Sequence, residues 1–174
     1  MIRPIVLHPD ARLKKKSVEV EGITDALIEL AEDMMETMYN APGIGLAAPQ
    51  IGVLQRVIVM DCAKKEDEEL DPIIMVNPLI KASSEEKNVY EEGCLSIPEH
   101  FAEVTRPELV QVEWIDLEGK QHSEEFNGLK STCVQHEIDH LNGKLFIDYL
   151  GPIKRQMITR KMQKFKREKL RGSE

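Results

Sequence analysis

The sequence predicts an α+β fold in which antiparallel β-sheets pack around a central helix, with another helix near the N-terminus and a basic helix at the C-terminus. Three observations carry this. Residues from Thr24 to Met38 repeat their apolar positions with a helical period. "ELVQVEWIDLEGKQHSEEF" alternates apolar and polar residues on both sides of Glu118-Gly119, as a hairpin does. "GLKSTCVQHEIDHLNG" returns to the helical period and carries H-E-x-x-H between natural stops.

The first helix places Leu27, Leu30, Ala31, Met34 and Met38 on one stripe, with Thr24 or Asp25 able to cap its start. "APGIGLAAPQIG" follows. Its glycines and prolines interrupt both regular periods, so an irregular loop is expected. "QRVIVMD" and "IIMVNPLI" are β-branched runs that read as strands on either side of an acidic loop, "KKEDEELD". A second acidic stretch, "SSEEKN", also reads as a solvated loop. Asn127 can cap the H-E-x-x-H helix, and Asn142-Gly143 offers a left-handed stop. A short strand at "LFIDYL" and a helix beyond Pro152 complete the expected order.

The 174 residues suit one compact unit, and 41% hydrophobic with 31% charged residues is globular rather than disordered composition. We expect a single catalytic metal-hydrolase domain over 1–174, with the basic helix at about 152–170. No run approaches the ~20 apolar residues of a membrane span, and the start has no cleavable signal pattern. Three cysteines suit reduced thiols or a metal ligand better than a disulfide framework. Both points lead to an expected cytoplasmic location. Residues 152–174 hold nine Lys/Arg against Glu168 and Glu174, a net +7, which leaves −15 for residues 1–151. Such asymmetry suggests an anionic partner for the tail.

His136 and His140 are four apart, so a helix puts both imidazoles on one face, where they can share an ion. Glu137 beside them can accept a proton from water. A catalytic site needs a third protein ligand and an open position. Phe146 stands where a metzincin would have its third histidine, which excludes that chemistry. Cys133 shares the helical stripe but sits two turns from His140, and reads better as a small core residue. Cys94, in "YEEGCLSIPEH", can be presented from a strand beside the helix and is the leading third ligand. Two imidazoles and a thiolate suit zinc, iron, cobalt or nickel as the divalent ion. Glu92, Arg106 and Asp139 are candidates for a buried charge network that orients the ligand helix, although solvated surface charge explains Arg106 and Asp139 nearly as well.

"GIGLAAPQ", "EGCLSIP" and "QHEIDHLNG", in this order, resemble the three signature motifs of the peptide deformylase family. "LHPDARLKKKS" and the basic terminal helix are similar to bacterial-type members, so the likeness spans nearly the whole chain. The resemblance implies Cys94, His136 and His140 as metal ligands, Glu137 as acid and base, and Gln50 with the Leu95 N–H as oxyanion donors. It implies ferrous iron (Fe2+) as the ion in the cell, with Zn2+ a common replacement and Ni2+ or Co2+ compatible. The substrate it implies is the N-formyl-methionyl end of a nascent peptide, with formate released. The first motif commonly carries another residue at Pro49, which is not one of the chemical groups.

Ile44, Tyr90, Leu129 and Cys133 lie beside the motifs and could surround a methionine side chain. Gly45 would let a substrate backbone approach and pair like an added strand. The terminal helix, with Ile153, Met157, Ile158, Met162 and Phe165 near helical spacing among basic residues, reads either as a packing helix or as an RNA-contacting one. Its likeness to the family favours docking on the ribosome. Two alternatives remain at this level: a general endopeptidase using the same ion and glutamate, and a ribosome-binding module whose metal is structural.

Overall fold

The computed structural model describes residues 1–63 and 69–173. It is an α+β structure with helices α1 (Asp25–Asn40), α2 (Gly128–Leu141) and α3 (Pro152–Arg171). Its strands are β1 (Gly45–Ala47), β2 (Val57–Met60), β3 (Ile73–Ser83), β4 (Lys87–Cys94), β5 (Ile97–Pro107), β6 (Val110–Ile115) and β7 (Gln121–Phe126). β1-β2-β3-β6-β7 form one antiparallel sheet in that spatial order, and β4-β5 form a separate hairpin.

Alternation along β2 explains how the large sheet serves two helices. Val57 and Val59 join Leu27, Leu30, Met34 and Met38 of α1, whereas Ile58 and Met60 point to the opposite face with Val134, Ile138 and Leu141 of α2. Side chains two residues apart share a face, so four consecutive apolar residues must bury both ways. A third cluster joins Ile97, Ala102 and Val104 of β5 to Leu145, Phe146 and Ile147, and to Ile158 and Met162 of α3. α2 therefore lies between the sheet and the hairpin, and ten of its fourteen residues are buried.

The first helix starts as expected, with the Thr24 side chain accepting from the Leu27 N–H. Asn127 precedes α2, but its side chain makes no capping hydrogen bond. At the other end Gly143 takes φ +75°, and a Cβ there would stand 2.4 Å from the Lys14 carbonyl oxygen. Only glycine meets both the left-handed turn and this close approach.

Two expected elements differ. The segment read as an irregular loop contains β1 and a 3-10 turn, Ala48–Ile51. Pairing of Gly45, Leu46 and Ala47 with Met60, Val59 and Ile58 imposes extended backbone that the glycines alone do not favour. Pro49 fits the first turn of the 3-10 segment, where its missing N–H is no loss. The strand expected at "LFIDYL" is a 3-10 turn, Phe146–Tyr149, because the Asp148 carboxylate accepts from the Leu145 N–H at 2.9 Å and closes the chain on itself. Residues 64–68 of the expected acidic loop lie outside the described residues; 69–71 are exposed. "SSEEKN" spans the β3–β4 turn and the ends of both strands. No helix among the described residues is long and apolar enough to cross a membrane.

The N-terminal segment ties the layers together. Val6 N–H donates to the Gln50 carbonyl, His8 N–H donates to the Ser96 carbonyl, and His8 Nε2 lies 2.8 Å from Thr159 Oγ1 on α3. Burial, aided by Lys14, pushes the buried His8 imidazole down from 6.5 to about 4. The folded state thus holds His8 neutral while the unfolded chain protonates near 6.5. Stability linked to His8 is complete above pH 6.5 and is lost as the pH falls toward 4, on the order of 3 kcal/mol in all. In denaturant titrations at pH 7 and pH 4.5, the native chain should lose about 2–3 kcal/mol more than His8→Asn does.

Candidate active site

α2 turns two different faces to its neighbours because residues advance 100° per position. Val134, Ile138 and Leu141 face the sheet, which leaves His136 and His140 directed toward the β4–β5 hairpin. β4 ends at Cys94, whose pairing with Ile97 turns the chain back through Leu95 and Ser96. Cys94 Sγ lies 3.3 Å from His140 Nε2, and the His136 and His140 rings are 5.0 Å apart. One ligand atom from each of Cys94, His136 and His140 falls within 4.8 Å of the other two, so these residues could hold a metal ion.

A buried ionic network fixes this arrangement. Glu92 Oε1 accepts from His136 Nδ1 at 2.9 Å. An ionised carboxylate can only accept, so the ring proton sits on Nδ1 and the Nε2 lone pair is left for a ligand role. Arg106 grips Glu92 with two hydrogen bonds of 2.7 and 2.9 Å, and reaches Asp139 on α2 at 2.8 Å. Tyr149 donates to the same Asp139 oxygen, and its ring lies under the Arg106 guanidinium at 4.7 Å. Burial pushes the Glu92 carboxyl up, but His136 and Arg106 more than reverse this and hold it below the usual carboxylate range. Burial likewise opposes the Arg106 charge, and Glu92 and Asp139 outweigh it. The three residues suspected of a common network are thus brought together.

Glu137 is buried beside His136, with Oε1 3.8 Å from His136 Nε2. Its Oε2 has no hydrogen-bond partner among the described residues. Burial is the main reason its carboxyl rises to about 7. Gln50 is held rigidly: Oε1 accepts from the Ala47 N–H at 2.9 Å, while Nε2 donates to Ser96 Oγ at 3.1 Å and lies 3.5 Å from Cys94 Sγ.

Gln50, Glu92, Cys94, His136 and Glu137 line a cleft of ≈ 460 Å³, and Ile44, Gly45, Tyr90, Leu95, Leu129 and Cys133 all contribute to its wall. Cys133 stands outside the three-residue ligand cluster, with Sγ 3.6 Å from the Ile44 carbonyl and a hydrogen bond to Cys62. Gly45 has a further reason to lack a side chain: a Cβ there would meet Cys133 Sγ at 2.9 Å and Glu137 at 3.0 Å. Close packing of β1 on α2 requires it. Sequence reasoning passed over Pro98, His100, Phe101 and Thr132 of the wall, and Tyr149 of the network. β5 did carry a signal, the alternation of buried Ala102, Val104 and Arg106, but the inward-facing arginine disguised it.

Residues 2–156 match the model of the polypeptide deformylase family. The chain belongs to that family. It is 54% identical over 163 residues to the peptide deformylase of Rhizobium meliloti (strain 1021), covering 94% of this chain and 93% of the relative. The crystal structure of a peptide deformylase from Legionella pneumophila superposes with a TM-score of 0.89 at 47% identity, covering 98% and 99% of the two chains. A Met-Ala-Ser-bound class I type b peptide deformylase from Acinetobacter baumannii superposes with a TM-score of 0.82 at 34% identity, covering 86% and 99%. The deformylase fold thus extends over nearly all of this chain.

Removing Arg106 strands the buried Glu92 charge. Arg106→Met should cost roughly 3–5 kcal/mol in denaturant unfolding. With Glu92 no longer fixed by Arg106, His136 loses a rigid anchor and should also bind zinc about 10–100-fold more weakly in a chelator competition.

Proposed function

We propose that the chain is a metal-dependent amide hydrolase that removes the N-formyl group from N-formyl-methionine at the start of nascent polypeptides, releasing formate. The observation that carries this is the convergence of Cys94, His136 and His140 beside a buried Glu137 whose Oε2 has no hydrogen-bond partner among the described residues. Membership of the deformylase family supports the reaction, and the Met-Ala-Ser-bound relative supports a peptide with an N-terminal methionine as its product.

The donor set fits a divalent ion. One thiolate and two imidazoles are close enough to share it, and Glu92 leaves His136 Nε2 as an available lone pair. We take the ion in the cell to be Fe2+, with Zn2+, Ni2+ or Co2+ able to replace it, a reading supported by the donor chemistry and the family likeness. Such an ion supplies Lewis acidity that lowers the pKa of water from 15.7 toward about 7.

The chain's own residues do the rest. Glu137, whose carboxyl is raised to about 7, takes a proton from the attacking water at Oε2, which has no hydrogen-bond partner among the described residues, and returns it to the departing amine. Gln50 Nε2 and the Leu95 N–H serve as donors to the oxyanion that forms after attack on the formyl carbon. In other acyl-transfer enzymes the loss of one such donor costs on the order of 10²–10³ in rate. Ile44, Tyr90, Leu129 and Cys133 provide an apolar wall for the methionine thioether. β1 is an edge strand, and Ile44 and Leu46 spend their backbone groups on β2, so Gly45 is left facing outward to pair with a peptide.

We assign residues 1–174 to one cytoplasmic catalytic unit, with α3 as a dock on the ribosome. Exposed Ile153 and Met157 among basic residues favour the latter. Deletion of residues 155–174 should abolish pelleting with ribosomes at low salt; unchanged pelleting would remove α3 from that role. Glu137→Gln should lower formate release from formyl-Met peptides by about 10²–10⁴ under anaerobic assay while metal content stays constant. Full turnover in this variant would point to a structural metal, and cleavage of internal peptide bonds would point to an endopeptidase.

A further inference from the structure

A second cleft, of ≈ 470 Å³, lies along one flank of α3 and shares no lining residue with the catalytic one. Its floor is His8 and Ile147, and three elements bring charge to it: Lys14 from the N-terminal segment, Asp148 from the 3-10 turn, and Arg155 and Arg160 from α3. Asp148 is already engaged. Its two oxygens receive Lys14 Nζ at 2.9 and 2.8 Å, and one also accepts the Leu145 N–H. Arg155 and Arg160 enter no ion pair within 4.0 Å among the described residues, although Arg155 is near enough to Asp148 to help hold its carboxyl low. With three cations and one carboxylate the lining carries a net +2.

We propose that this cleft binds a phosphate dianion, either free or as the terminal group of a small phosphomonoester, between Arg155, Arg160 and Lys14. The lining charge matches that of the dianion. Planar guanidinium groups pair with phosphate oxygens through two parallel hydrogen bonds, and Thr159 and Gln163 add neutral polar groups along the same helix face. His8, buried and neutral, adds no charge of its own. Lys14 belongs to the body and the arginines to α3, so the bound anion clamps the helix to the rest of the chain. A solvated basic helix would account for exposed arginines, but not for their lining one cleft with Lys14.

The test uses the full, metal-loaded chain, with calorimetric titration of inorganic phosphate and of adenosine 5′-monophosphate at constant ionic strength in chloride. Saturable binding and a rise in Tm are expected, weakened at least tenfold in the Arg155→Gln/Arg160→Gln double variant. Lys161→Gln/Arg167→Gln removes equal charge from the same helix outside the cleft and should leave binding intact. Tighter binding of the nucleotide assigns a phosphomonoester, and equal binding assigns free phosphate. The proposal is overturned if the first pair has no effect, if both pairs weaken binding equally, or if phosphate acts no differently from chloride. It is also overturned if single-stranded RNA without a terminal phosphate binds more tightly than either probe, which would give the cleft to ribosome docking.

Discussion

The contact on which the structure turns is the Arg106 guanidinium, buried between Glu92 of the hairpin and Asp139 of α2. Burying one cation among two carboxylates is costly unless every hydrogen bond is made, and here Arg106 bonds to Glu92, Asp139 and Tyr149. This locks the hairpin to the helix at one register. Glu92 then passes the constraint to His136 through Nδ1, and two residues further along the same strand Cys94 reaches His140. A hydrophobic contact of equal size would hold the layers together but tolerate sliding, which a site built from three ligand atoms does not.

The position of α2 explains why a carboxylate and two imidazoles can be buried. The helix satisfies its own backbone, the sheet takes one face with Val134, Ile138 and Leu141, and the hairpin meets the other. Glu137 sits at the seam, walled by Gly45, where a larger residue on β1 would push strand and helix apart. The same dryness that pushes its carboxyl to about 7 strengthens every charge in the cleft. Gln50, tied to the Ala47 N–H and Ser96, keeps its carboxamide in place without reorganisation.

α3 is held differently. Ile158 and Met162 are its buried residues, while Ile153, Met157 and Leu170 remain exposed. A helix so basic, on a body carrying the opposite charge, is secured by few apolar contacts and by groups such as His8 with Thr159. Its charge remains largely available to other anions.

Local chemistry dictated much of this. Thr24 and the apolar stripe after it make α1, Glu118-Gly119 makes the β6–β7 hairpin, and the four-residue separation of His136 and His140 follows from helical period alone. The motifs marked Cys94, Gln50 and Leu95 as candidates, and all three line the cleft. What lay beyond local chemistry depended on partners distant in sequence. β1 is a strand because β2 lies beside it, and β5 turns Phe101 into the cleft wall through its pairing with β4. Period and propensity act over a few residues, whereas the convergence of sulfur and nitrogen on one point is set by packing between segments more than forty residues apart.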